Sequence, residues 1–141
     1  MSRLLNRLTR GGKKVQVAIV GLGMAGKSAI VQRLMTNKFV PTTRTLGVDH
    51  RTVRYKTISF KIMDLGGQKI FRETIWDDSV RQADAIIYVI DASNPKIEIA
   101  SKAFWQAIGC AKENIPILFI ANKADLSSVR PLNQIHQELH L

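Results

Sequence analysis

Apolar and polar positions along the chain fall into two alternating kinds of segment. Residues 15–20, "VQVAIV", are β-branched and apolar, which predicts a buried strand. Ala29, Ile30, Leu34 and Met35 recur at helical spacing over 27–36. A polar loop follows from Asn37 to Thr45. Val53 and Tyr55, then Ile58, Phe60 and Ile62, alternate across 50–64, which predicts a β-hairpin turning near Lys56-Thr57. A helix is expected around 70–80. Residues 85–91, "AIIYVID", and 115–123, "IPILFIANK", are near-continuous apolar runs suited to parallel strands covered on both faces. Between them, 97–113 predicts a helix with Ala100, Ala103, Phe104, Ala107, Ile108 and Ala111 facing inward. Over 131–141, Pro131 suits a first helical turn and Leu132, Ile135 and Leu139 form one stripe. Strands alternating with helices imply an α/β fold with a mostly parallel sheet. Ligands of such sheets bind beyond the carboxyl ends of the strands.

Composition narrows this little. The 141 residues suggest one domain with a single core. No stretch is long and apolar enough to span a membrane, and the N-terminus lacks the apolar region of a secretory signal. The single Cys110 cannot form an internal disulfide; it reads as a small core residue, and a reduced, cytoplasmic setting fits. Net charge is informative. Of the excess of +10, Arg3, Arg7, Arg10, Lys13 and Lys14 supply half, with no acid nearby. Residues 1–14 therefore read as a basic leader closed by Gly11-Gly12, and 15–141 as the folded domain. Arg51, Arg54, Lys56 and Lys61 read as a solvated face of the hairpin.

Gly21 to Ser28, "GLGMAGKS", fits the phosphate-loop pattern G-x-x-x-x-G-K-[ST], between a predicted strand and a predicted helix. Backbone N–H groups must turn inward around phosphate oxygens there, and side chains would obstruct them. The helix N-terminus adds partial positive charge. The expected cradle is Gly23, Met24, Ala25, Gly26, Lys27, Ser28 and Ala29. Lys27 would supply charge to the β- and γ-phosphates and Ser28 a hydroxyl to Mg²⁺.

"NKAD", Asn122 to Asp125, ends the apolar run 115–121. A carboxylate at Asp125 can accept from guanine N1–H and the exocyclic amine together. Adenine offers no such donor pair, and an unpaired buried Asp would be costly. Asn122 can tie the loop together, and the stem of Lys123 can cover the base. GTP and GDP are therefore expected over ATP, which disfavours an ATPase or kinase.

The phosphate loop, Asp64-Leu65-Gly66-Gly67-Gln68 and Asn122-Lys123-Ala124-Asp125, in that order, resemble the small GTPases of the Ras superfamily. The likeness runs from residue 15 to about 141. "DLGGQ" and the preceding "TVRYKTISFKIMD" are most similar to the Arf/Arl branch, while "TLGVD" at 45–49 is closer to Rab. The resemblance implies a P-loop NTPase fold of the small G-domain type. It implies that Asp64 holds Mg²⁺, that Gly67 N–H bonds the γ-phosphate and that Gln68 orients the attacking water. Thr45 is the choice for a second Mg²⁺ hydroxyl; Thr42 and Thr43 compete with it. Loops ordered by γ-phosphate and Mg²⁺ would relax after hydrolysis, giving a switch. Without an evident arginine finger, turnover should be on the order of 10⁻⁴ to 10⁻³ per second. A GTPase-activating protein, an exchange factor and effectors are implied.

Several features depart from the branch. Gly23 stands where Arf members usually carry Asp, Met63 where they have Trp, and Val48 where they have Phe, so partners do not carry over. Trp76 reads either as a compensating surface anchor or as a half-buried packing residue, and Trp105 as core. Nothing corresponds to the further strand, guanine loop and closing helix of small GTPases. The edge at 115–121 would then be bare and apolar, favouring self-association, and the base pocket would lose one wall, weakening nucleotide affinity. Leu4, Leu5 and Leu8 opposite Arg3, Arg7 and Arg10 resemble the amphipathic N-terminal helix of Arf proteins; a disordered basic tail is the other reading. Ser2 excludes myristoylation and no C-terminal prenylation motif is present. Weak, salt-sensitive peripheral binding of residues 1–14 to an anionic membrane is expected. Nucleic acid is disfavoured because no aromatic residues interleave the basic ones. Two functions remain: a GTP-hydrolysing switch, supported by Gln68, or a GTP-binding docking subunit with little hydrolysis.

Overall fold

A computed structural model describes residues 12–141. Five strands form one sheet in the order β2-β3-β1-β4-β5. They are β1 (Lys13–Val20), β2 (Val48–Tyr55), β3 (Ile58–Leu65), β4 (Ala85–Asp91) and β5 (Ile117–Asn122). Only the β2–β3 pair is antiparallel; β1 pairs in parallel with β3 and β4, and β4 with β5. The hairpin turns at Lys56-Thr57 as its alternation predicts, with Tyr55 opposite Ile58. Helices α1 (Lys27–Thr36), α2 (Lys69–Thr74), α3 (Trp76–Gln82), α4 (Ile97–Gly109) and α5 (Leu132–Glu138) complete the described chain.

The sheet is covered on both faces, which explains why Val17–Val20 of β1 and Ala85–Ile90 of β4 are continuous apolar runs rather than alternating. Ala18 and Val20 of β1 join Met63, Trp76, Val80, Tyr88, Phe104 and Ile135 in one buried cluster. Val17 and Ile19 join Val31, Ile62 and Val89 in the other. Tyr88, Phe104 and Phe119 pack ring against ring at 4.8–5.2 Å, edge-on or tilted.

Several expectations are corrected. The helix at 70–80 is two short helices meeting at Ile75, just before Trp76. Trp76 is neither a surface anchor nor half-buried: it is fully buried, and its Nε1 donates to the Gly66 carbonyl at 3.0 Å. Trp105 is 47% exposed rather than core, capping the α4–α5 contact through Nε1 to the Leu139 carbonyl. α4 stops at Gly109, and Cys110 caps it, partly exposed. Leu34 and Met35 of α1 face outward, because Val31 alone supplies its fully buried contact. Leu132 is exposed, so the α5 stripe reduces to Ile135 and Leu139. Met63 is buried in the sheet and presents no surface to a partner. β1 begins at Lys13, inside the stretch read as leader. The leader's expected amphipathic segment, residues 1–11, lies outside the described residues. Among the described residues no strand pairs with the outer edge of β5, where Ile117 and Leu118 are exposed. No described helix is long and apolar enough to cross a membrane.

Candidate functional site

The carboxyl ends of β1, β3, β4 and β5 open on one side of the sheet. There a cavity of about 1180 Å³ is lined by Gly23, Met24, Gly26, Lys27, Ser28, Ala29, Thr45, Gly67, Gln68, Asn122, Lys123 and Asp125. Of the residues singled out in the sequence, only Ala25 and Asp64 do not line it. Ala25 is buried beneath the loop, and Asp64 lines an adjoining cavity of about 590 Å³; Ser28, Thr42, Thr43 and Thr45 are among the residues shared between the two.

Local backbone conformation builds the loop between β1 and α1. Met24 and Gly26 take left-handed φ values of 66° and 98°. Alternation of this kind turns successive N–H groups toward one concavity. The N–H groups of Gly26, Lys27 and Ser28 meet no acceptor among the described residues. The outward carbonyls are held instead. Asn122 Nδ2 donates to Ala25 O at 2.8 Å, and Lys123 Nζ donates to Met24 O at 2.6 Å. Lys123 Nζ also lies 2.8 Å from Asp91 Oδ2. Burial pushes the Asp91 carboxyl up, but the Lys123 and Ser93 hydrogen bonds outweigh it and hold the group below its ordinary range.

Lys27 is 6% exposed, and its Nζ donates to Gly21 O and Leu22 O at 2.9 Å each. Burial lowers its pKa to about 8, against the opposing pull of the Asp64 charge. An ammonium desolvated in this way gains from an anion placed in the cavity.

Ser28, Thr45 and Asp64 meet at the wall between the two cavities. Ser28 Oγ lies 2.5 Å from Asp64 Oδ2 and 2.8 Å from Thr45 Oγ1. Thr42 and Thr43 line the same cavities, but neither hydrogen-bonds Ser28 or Asp64 among the described residues. Asp64 Oδ1 is buried with no hydrogen-bond partner among the described residues. Burial raises the Asp64 pKa, the Ser28 hydrogen bond and the Lys27 charge resist, and the neighbouring Asp49 carboxylate adds to the rise. Three hard oxygen groups with an orphaned carboxylate oxygen suit a small hard cation.

Gly67 sits against the phosphate loop, with Gly23 N–H donating to its carbonyl at 3.2 Å. A Cβ on Gly67 would meet Gly23 N at 2.3 Å and Gly21 O at 2.5 Å. Gln68 caps α2 in extended conformation with its side chain on the cavity. Asp125 is exposed, and no hydrogen bond or ion pair among the described residues engages its carboxylate.

Sequence reasoning missed other lining residues. Phe39 is 75% exposed at the cavity beside Ile30 and Leu34, with Arg33 and Arg44 at the same rim. Phe39 and Arg44 lie in a loop of mixed composition and Arg33 on the exposed side of α1, so nothing in their spacing marks them. Asp91 and Asp49 were missed because the residues that tie them to the site, Lys123 and Asp64, lie in other segments.

The family model described as the ADP-ribosylation factor family matches residues 1–141. ADP-ribosylation factor 1 of Brassica rapa subsp. pekinensis is 35% identical over 118 residues, covering 82% of this chain and 64% of that protein. ADP-ribosylation factor-like protein 4A of Homo sapiens is 32% identical over 130 residues, covering 87% of this chain and 64% of that protein. The chain thus spans about two thirds of the length of these relatives, a little under. The solved Arl6 BBS3 small GTPase from Trypanosoma brucei, with a bound nucleotide analogue GppNp, superposes with a TM-score of 0.78 at 25% identity, over 91% of this chain and 78% of that one. The mammalian SRP receptor superposes with a TM-score of 0.79 at 23% identity, over 88% and 70%, a likeness of fold.

Proposed function

The chain belongs to the ADP-ribosylation factor family, and from that premise we propose that it is a guanine-nucleotide switch that binds Mg²⁺-GTP and hydrolyses it slowly. The observation that carries this reading is the meeting of Lys27, Ser28, Thr45, Gly67, Gln68, Asn122 and Asp125 around one cavity. Inward N–H groups of the loop from Gly23 to Ala29 and the Lys27 ammonium hold the phosphates. Asp125 accepts from the guanine edge, and Asn122 and Lys123 brace the loop that carries it. Ser28, Thr45 and Asp64 would hold Mg²⁺, which would supply positive charge against the nucleotide phosphates. Gln68 orients a water for attack, and Gly67, pressed against the phosphate loop, links the presence of the γ-phosphate to the segment carrying Gln68 and α2. An exchange factor, an activating protein and effectors follow from slow turnover and a two-state surface. Residues 1–14 place the switch at an anionic membrane surface, which liposome flotation with and without residues 1–12 tests.

The decisive experiment measures phosphate release for wild type and Gln68→Leu. A switch enzyme loses its turnover in the variant. Equal, negligible release in both proteins overturns hydrolysis and leaves a docking subunit. Displacement of fluorescent GDP by ATP as readily as by GTP overturns the assignment of the base.

A further inference from the structure

Asp49 and Asp64 stand directly opposite each other on β2 and β3. Opposed residues of an antiparallel pair share one face, with Cβ atoms about 4.5–5.5 Å apart, and like charges there destabilise the sheet. Asp64 is 2% exposed and its Oδ1 takes no hydrogen bond from any described residue. Asp49, partly exposed, lines the 590 Å³ cavity together with Ser28, Thr45 and Asp64. Arg51, on the same face two residues along, places Nη2 at 2.8 Å and Nε at 2.9 Å from the same Asp49 oxygen, Oδ2. Asp49 Oδ1 takes no hydrogen bond from any described residue. Two carboxylates therefore converge on one recess, each with an oxygen to spare; the Lys27 charge acts on Asp64 and a rim arginine on Asp49.

We propose that Asp49 is a second carboxylate of the divalent-cation site, acting on the ion through a water of its hydration shell, with Arg51 competing for that carboxylate. The inference rests on the reading that Ser28, Thr45 and Asp64 hold Mg²⁺. Mg²⁺ dehydrates reluctantly and keeps several waters, so a carboxylate one strand away accepts from a bound water. Its negative charge also deepens the potential at the ion. The β2–β3 pairing brings Asp49 to the site, so cation affinity is coupled to the register of the hairpin and not only to the phosphate loop. Arg51 is exposed at the rim, and its salt bridge weakens the carboxylate's hold on the ion without blocking the site.

The test follows release of fluorescent GDP from the full chain against free Mg²⁺, for wild type, Asp49→Asn, Arg51→Met and the double variant. Loss of an outer ligand is expected to raise the half-saturating Mg²⁺ about 10-fold in Asp49→Asn. Arg51→Met is expected to lower it roughly two- to fivefold, the scale of an exposed ion pair. The double variant should match Asp49→Asn, and release in excess EDTA should be the same in all four. If Mg²⁺ does not slow release from wild type, the reading of Ser28, Thr45 and Asp64 fails. If wild type responds and Asp49→Asn shares its half-saturation, the role of Asp49 is overturned while that reading stands. A change in the EDTA rate of Asp49→Asn, or a shift of Arg51→Met in the same direction as Asp49→Asn, overturns it equally.

Discussion

Asn122 Nδ2 donates to the Ala25 carbonyl at 2.8 Å, so the end of β5 holds the phosphate loop 97 residues away in sequence. Gly26 makes this contact possible, since a Cβ there would lie 2.2 Å from Asn122 Nδ2. Asn122→Ala frees the Ala25 carbonyl and is expected to cost about 1 kcal/mol of stability. It should also speed GDP release at least tenfold. Gly26→Ala disrupts the same contact, so the double variant should fall well short of the sum of the two. Denaturation curves and fluorescent-GDP release check both. Additive effects would mean that the two residues do not act through this bond.

The same contact shows what the sequence could and could not disclose. The strands, the hairpin turn and the phosphate loop follow from local periodicity and glycine placement, so they were legible. The meeting of Ser28, Thr45 and Asp64 was legible only through motif order. The Asp49–Asp64 pairing needs the hairpin register, and a polar Asp on an edge strand looks like any solvated residue. Trp76 misled for a related reason. Its neighbours Asp77 and Asp78 suggest a surface helix, whereas it packs into the core cluster and its indole N–H finds a partner there in the Gly66 carbonyl. Trp105 misled in the opposite sense, because an aromatic inside an apolar helix reads as core while its indole N–H reaches the α5 end at the rim.

Lys27 makes stability depend on pH. Its pKa is about 8 in the folded chain against an ordinary 10.5. Below pH 8 both folded and unfolded states carry the charge, and the full cost of burying it stands. Between pH 8 and 10.5 the unfolded state holds more protons, so stability rises with pH. The rise should total roughly 2–4 kcal/mol. Lys27→Met should flatten it, which denaturation of the nucleotide-free chain at pH 7 and pH 10 would show. Phosphates favour the ammonium, so GDP binding by wild type at pH 9 should take up a proton, read by calorimetry in two buffers. A pH-independent difference between wild type and Lys27→Met would remove the shift.

Trp76 should report the state of the switch. Its indole N–H holds the Gly66 carbonyl, next to Gly67 and Gln68, while the Trp105 indole N–H is engaged by the Leu139 carbonyl at the end of α5. Exchange of GDP for a non-hydrolysable GTP analogue is expected to change tryptophan emission in wild type and in Trp105→Phe, and to leave Trp76→Phe silent. Trp76→Phe should also cost about 1–3 kcal/mol, because it leaves a buried carbonyl unpaired. A signal that survives in Trp76→Phe would place the moving segment elsewhere.

Gly23 and Gly67 face each other yet should respond oppositely to a methyl group. A Cβ on Gly23 would have Gly67 C at 3.9 Å as its nearest neighbour, an ordinary contact. A Cβ on Gly67 would collide with Gly23 N and with Leu22 and Gly21 backbone atoms at 2.3–2.5 Å. Backbone cannot swing aside as a side-chain tip can, so Gly67→Ala must push the loops apart. It is expected to cost about 1–3 kcal/mol. Gly23→Ala should stay within about 0.5 kcal/mol of wild type. Function should divide differently, because Gly23 leaves open the space between the phosphate loop and the segment carrying Gln68. Gly23→Ala fills it, so GTP turnover should fall at least tenfold while GDP affinity holds. Phosphate release, GDP titration and denaturation on both variants decide the matter. Wild-type turnover in a stable Gly23→Ala protein would show that hydrolysis does not use the space Gly23 leaves.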